Sequence, residues 1–168
     1  MGVVDILHNR GAVAKPFGCK ELREIFHLRR ILEREATLCA AGQIDLSQLR
    51  SLRCEVETLL QQTPSVLDEW MPISIAHNRR LHGLLTDHCG NGRLADEIRR
   101  HQTLFETLTE TIGARIAVHR EMLAGHRGII DALVAGDASA AAAAMARHID
   151  DVGRCLELTL FDHQSPEK

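Results

Sequence analysis

At 168 residues and a formal charge of −3, the chain has the size of one domain and no overall basic footprint for nucleic acid. Five cysteines, odd in number and without C-x-x-C spacing, read as reduced thiols in a cytoplasmic protein and not as a disulfide framework. The start lacks a signal-peptide pattern, and no apolar run approaches the roughly 20 residues needed to span a bilayer.

The composition favours helix-on-helix packing: aromatics are scarce, Tyr is absent, and Leu, Ile and Ala dominate. Residues 1–18 stand apart. Val3, Val4, Ile6 and Leu7 precede His8-Asn9-Arg10-Gly11, and Ala12-Val13-Ala14 follow, which predicts two short strands around a turn. Such a ribbon is marginal alone, so it is a tail or the remnant of something larger. Pro16 and Gly18 separate it from a first helix over 19–41, with Leu22, Ile25, Arg29, Leu32, Ala36 and Cys39 on one stripe and Gly42 at its end.

A second helix runs from 45 to about 62 on Leu46, Leu49, Leu52, Val56, Leu59 and Leu60, and Thr63-Pro64-Ser65 breaks it. A third spans about 65–88, with Pro72 expected to kink or restart it. Gly90-Asn91-Gly92 stops the third. A fourth covers 93–112 with Leu94, Ile98, His101, Phe105 and Leu108 on one stripe. A fifth covers about 114–135, and a sixth about 138–161, started by Asp137 as its cap. Residues 163–168 are expected to fray. The fold class is therefore all-α: an antiparallel bundle of about six helices, residues 19–162, behind a short β-ribbon remnant. The Ala138–Ala146 run needs only helix propensity and close packing as its explanation.

Ten histidines are many for this length, and several fall on apolar stripes. The fifth helix reads Ile116, His119, Leu123, His126, Ile130, Leu133; the sixth reads Ala141, Met145, His148, Val152, Cys155. Asn78 and His82, four apart, extend a stripe of Ile75, Leu85 and Cys89. A buried polar group without a partner costs about 1–3 kcal/mol, so these side chains need one another or a ligand. Three imidazoles and a carboxamide oxygen, from Asn78, His82, His126 and His148, make a site for a divalent transition metal such as Zn, Ni or Mn. The alternative is that each histidine is a hydrogen-bonded core or surface residue.

Arg29 interrupts the first helix's stripe. It reads either as a clamp for a ligand carboxylate or as half of an ion pair with Glu33 or Glu35. His101 and His119 also lie on stripes, where they would line a cavity or orient other ligands. Catalytic motifs are absent: there is no P-loop, no G-x-G-x-x-G and no H-E-x-x-H. Glu24-Ile25-Phe26-His27 gives a single E-x-x-H, whereas a di-iron bundle needs two.

Taken together, several stretches resemble the FCD domain, the C-terminal effector-binding domain of FadR-like GntR-family transcriptional regulators. They are Glu24-Ile25-Phe26-His27-Leu28-Arg29-Arg30-Ile31-Leu32-Glu33 with Ala40-Ala41, then Asn78-Arg79-Arg80-Leu81-His82, then Gly90-Asn91 with Leu94. His126 and His148, flanking Gly136-Asp137 and the Ala-rich run, complete the set. The resemblance covers about residues 19–160. It implies a helical bundle that binds a small organic acid, is not an enzyme, and pairs as a homodimer. It also implies a metal held by Asn78, His82, His126 and His148, with Arg29 meeting the effector; His101, from its place on the fourth helix's stripe, is a further candidate for effector contact. Asn78 departs from the family's commoner Asp, which removes a charge from the site. Residues 2–17 resemble the last ribbon of a winged-helix domain, with Asn9-Arg10-Gly11-Ala12 at the wing. Operator DNA would then be read only through winged-helix segments that this sequence lacks. Two other functions stay open on the residues alone: a metal-dependent hydrolase, and a metal-free helical interaction module.

Overall fold

A computed structural model describes residues 4–7, 11–14, 17–62, 67–112 and 116–161. Among them six helices form the body: α1 (Cys19–Ala40), α2 (Leu46–Gln61), α3 (Leu67–Asp87), α4 (Gly92–Ile112), α5 (Ile116–Val134) and α6 (Ala138–Phe161). The fold is all-α. Ahead of it, the backbone of β1 (Val4–Leu7) pairs antiparallel with β2 (Gly11–Ala14), Val4 opposite Ala14. The expected wing at 8–10, the Thr63-Pro64-Ser65 break and the tail at 163–168 lie outside the described residues.

Helix ends follow local chemistry. Asp45 and Asp137 cap α2 and α6, accepting from the N–H of Ser47 (2.6 Å) and of Ala140 (2.8 Å). Asn91 does the same for α4 through Leu94 N–H at 3.1 Å. After α5 the chain turns back through Gly136, at φ 76°, a backbone state that side-chain-bearing residues resist. There the N–H of Asp137 reaches the Ala132 carbonyl and that of Gly136 reaches Leu133, which satisfies the last carbonyls of the helix. Pro72 lies in the second turn of α3 without ending it.

α1 packs chiefly on α6, α6 on α5, and α5 on α2, while α3 touches α1, α2, α4 and α5. Leu123, Ile129 and Ile130 of α5 face Met145, Ile149 and Leu156 of α6 in the fully buried centre. Two glycines let helices come close. A Cβ on Gly153 of α6 would stand 2.7 Å from the Phe26 ring of α1, and one on Gly125 of α5 would stand 3.0 Å from Cγ of His148.

The stripes of α5 and α6 bury as the spacing predicts, with His119, His126 and His148 inside, except that Ile116 and Cys155 at their ends are half-buried. The phase of α1 differs. Its buried residues are Leu22, Phe26, Arg29, Glu33, Ala36, Thr37 and Ala40. Cys39 is exposed, and Ile25 and Leu32 are half-buried. On α2, Leu46 is exposed in place of its expected burial. Leu22, Arg29 and Ala36 face inward as expected, but the face continues through Phe26, Glu33, Thr37 and Ala40, and a count of apolar residues cannot register Glu33 and Thr37.

Candidate functional site

Three imidazoles from three helices converge. His82 of α3, His126 of α5 and His148 of α6 are 2 %, 0 % and 4 % exposed, and one ring nitrogen of each lies within 4.8 Å of the others. His82 Nε2 is 3.3 Å from His126 Nε2. Ring centroids are 5.3 Å apart for His82–His126, 5.4 Å for His82–His148 and 4.7 Å for His126–His148. Gly125, one residue before His126, leaves room for the His148 ring.

Glu33 orients the first ring. Its Oε2 meets His82 Nδ1, and its Oε1 accepts from Arg29 Nε at 2.8 Å. With Nδ1 donating to a carboxylate, Nε2 is left to present its lone pair toward His126, the carboxylate–histidine arrangement that supports metal ligands. Burial pushes the Glu33 carboxyl up, but the Arg29 guanidinium and His82 outweigh it and hold it at about 2. Burial drives His126 and His148 well below the ordinary imidazole range, His126 further through His148 and His148 further through His82. Both are therefore uncharged near neutral pH, as metal ligands must be.

Arg29 is 3 % exposed and stands against the rings of Phe26 (5.2 Å) and Phe105 (4.6 Å). Its Nη1 is buried without a hydrogen-bond partner. The sequence left two readings of Arg29; the pair with Glu33 is present, and one donor remains beyond it. A buried ion pair is a poor source of stability, since each ion loses several kcal/mol of hydration and apolar replacements are often as stable. The pair is therefore weak evidence for a role in stability.

Asn78 is buried one turn before His82 and lines a small cavity with Ile75, Phe105, His119 and Met122. His119 bonds through Nδ1 to Ser74 Oγ at 3.1 Å, on that same side of the core. His101, on α4, is half-buried, 3.6 Å from Glu97; burial lowers its pKa and the Arg29 charge lowers it further. Two site residues escaped the sequence reading. Glu33 entered it only as an ion-pair partner, although its i+4 spacing from Arg29 was visible. His77, 2 % exposed with its ring 5.3 Å from that of His126, gave no stripe signal.

The donors are nitrogen-rich, which suits a divalent transition metal and not the oxygen-seeking Mg²⁺ or Ca²⁺. His126 Nδ1 and His148 Nδ1 are buried without partners, so the cluster is not a closed hydrogen-bond network.

Residues 24–151 match the FCD domain family. The chain belongs to the FCD family. FCD domains are the small-molecule-binding domains of GntR-family transcriptional regulators; such proteins are not enzymes. The chain is similar in fold to a solved structure of the metal-free FCD domain of TM0439, with 18% identity and TM-score 0.69, over 88% of this chain and 99% of that one. It is also similar to a GntR-family transcriptional regulator from Pseudomonas syringae pv. tomato (17% identity, TM-score 0.65), covering 97% of this chain but 66% of that one. A Streptococcus agalactiae GntR structure matches at 19% identity and TM-score 0.52, over 91% of this chain and 75% of that one. No curated protein sequence matches the chain. Among the described residues of this FCD domain, no helix is long and apolar enough to cross a membrane.

Proposed function

We propose that this FCD domain is a metal-dependent sensor of a small organic acid. The observation that carries the reading is the buried His82–His126–His148 triad with Glu33 behind His82. His82, His126 and His148 would hold a divalent ion such as Zn, Ni or Mn, with Asn78 offering an oxygen as a weaker fourth ligand. The ion would supply coordination positions for a carboxylate oxygen. Arg29 would donate its free Nη1 to the same carboxylate, and His101 would border the ligand on the α4 side. Phe26 and Phe105 keep the guanidinium in place. Binding there would shift the bundle between two arrangements. In a regulator paired through this domain, that shift would reset the spacing of winged-helix segments on operator DNA.

A second reading is a metal-free domain, favoured by one observation: at 3.3 Å, His126 Nε2 could donate a hydrogen bond to His82 Nε2. Calorimetry on chelator-stripped protein separates the two. Uptake of one equivalent of zinc, lost in His126→Ala, supports the sensor. Acetate or succinate should then bind the zinc-loaded protein and lose affinity in Arg29→Ala. No zinc uptake overturns the reading, and carboxylate binding unchanged by Arg29→Ala removes the clamp from it.

A further inference from the structure

The triad is sealed, so an ion must reach it through ordered side chains. A groove of about 320 Å³ between α2 and α3 is lined by His77, whose ring neighbours that of His126, together with Cys54, Glu55, Thr58 and Arg80. We propose that His77 and Glu55 form a transit site for a divalent transition-metal ion, handing it between this groove and His126; the proposal rests on the metal-centre reading above.

Three observations carry it. First, His77 is buried, yet neither ring nitrogen has a hydrogen-bond partner. Second, His77 Nδ1 stands 3.6 Å from Glu55 Oε2, longer than a hydrogen bond. Two ligand atoms on a tetrahedral ion, each at roughly 2.1 Å from it, lie about 3.4 Å apart, so the gap suits a shared cation. Third, the His77 and His126 ring centroids are 5.3 Å apart, the same as His82 and His126 within the triad. His126 also has a free Nδ1. An ion could pass from one imidazole to the next without standing bare in an apolar interior.

Glu55 is already held by Arg80, whose Nη1 reaches both carboxylate oxygens at 2.7 and 2.6 Å. Arg80 is more than half exposed, and an ion pair at the surface is weak and exchanges readily. An arriving dication would displace it into solvent. The two larger grooves, of about 420 Å³ along α1 and α6 and about 500 Å³ elsewhere on α2 and α3, are lined by no residue of the triad and not by His77.

The test uses the full chain stripped by chelator and mixed rapidly with cobalt(II) chloride, whose visible absorption reports imidazole coordination. His77→Leu and Glu55→Gln should reach the wild-type spectrum and equilibrium affinity. Their rates of uptake, and of loss to excess chelator, should fall together by about tenfold or more. Wild-type rates in the variants overturn the transit site. So does an affinity loss that matches the slower uptake, which would make His77 a ligand or a packing residue. If His77→Leu does not fold, Glu55→Gln decides by the same criteria. No cobalt uptake by the wild type overturns the metal centre and the transit site together, whereas normal uptake with unchanged variant rates overturns the transit site alone.

Discussion

Glu33 on α1 holds the Nδ1 side of His82 on α3, across 49 positions of sequence. That contact fixes which nitrogen of His82 faces the other imidazoles. It also ties the helix bearing Arg29 to the helix bearing the first metal-ligand candidate.

Glu33→Gln should therefore do two kinds of damage. It leaves Arg29 as a buried charge without a counterion, a change that typically costs about 3–5 kcal/mol. Urea unfolding in the presence of chelator measures that loss. The double variant Arg29→Met, Glu33→Met should be less destabilised than Glu33→Gln alone, because no charge is then stranded. A double variant as unstable as the single one would mean that the pair itself stabilises the fold. Zinc affinity, where the protein folds, should drop by roughly 10–100-fold through loss of the carboxylate behind His82.

Gly125→Ala should read out the close approach of α5 and α6. Inside a helix, alanine normally adds about 0.5–1 kcal/mol over glycine. Here the new methyl would meet the His148 ring, with Cγ at 3.0 Å and Cβ at 3.1 Å. The expected sign is reversed, a loss of roughly 1–3 kcal/mol as in other overpacked cores. Gly128, three residues on, has nothing within 4 Å of its Cβ position. Gly128→Ala is thus the internal control and should stabilise. Thermal unfolding of the two variants, with zinc uptake of each, checks the contrast; uptake should fail only for Gly125→Ala.

The metal-free protein should weaken in mild acid. His126 and His148 bind protons far less readily folded than at their ordinary 6.5. Below that pH the unfolded chain takes up more protons, so stability falls as pH drops through about 6.5. Each such imidazole contributes a slope of about 1.4 kcal/mol per pH unit. Glu33 works lower on the scale: its contribution is complete above 4.5 and disappears as pH falls toward about 2. Denaturant midpoints measured from pH 8 to pH 5 should show the histidine slope, and His126→Leu should reduce it by one imidazole's share. A flat profile in the wild type would contradict the burial of neutral imidazoles.

How much of this was readable beforehand depended on the helix. On α5 and α6 the apolar residues outnumber the polar ones on the inward face, so the 3.6-residue period put His126 and His148 in the core directly. On α1 the expected stripe held Leu22, Arg29 and Ala36, but it alternated with Ile25, Leu32 and Cys39 where the true inward face carries Phe26, Glu33, Thr37 and Ala40. Glu33 was legible only as a partner spaced four from Arg29; its second contact, to His82, is a tertiary fact. Gly125 read as an ordinary helical glycine, since its role depends on the ring of a residue 23 positions later. His77 sits off the Asn78–His82 stripe by one position, yet α2 covers that side of α3 and buries it.

Arg29 and Glu33 contribute one positive and one negative charge to the interior, and the buried imidazoles of His126 and His148 contribute none. With all three imidazoles neutral, as ligands of a metal ion must be, the protein groups there sum to zero. A dication held by neutral rings would leave the interior at plus two, in surroundings that penalise net charge heavily. A monoanion would meet half of that excess, and a dianion all of it. Electroneutrality alone would then rank dianions above monoanions at this centre, before any question of shape.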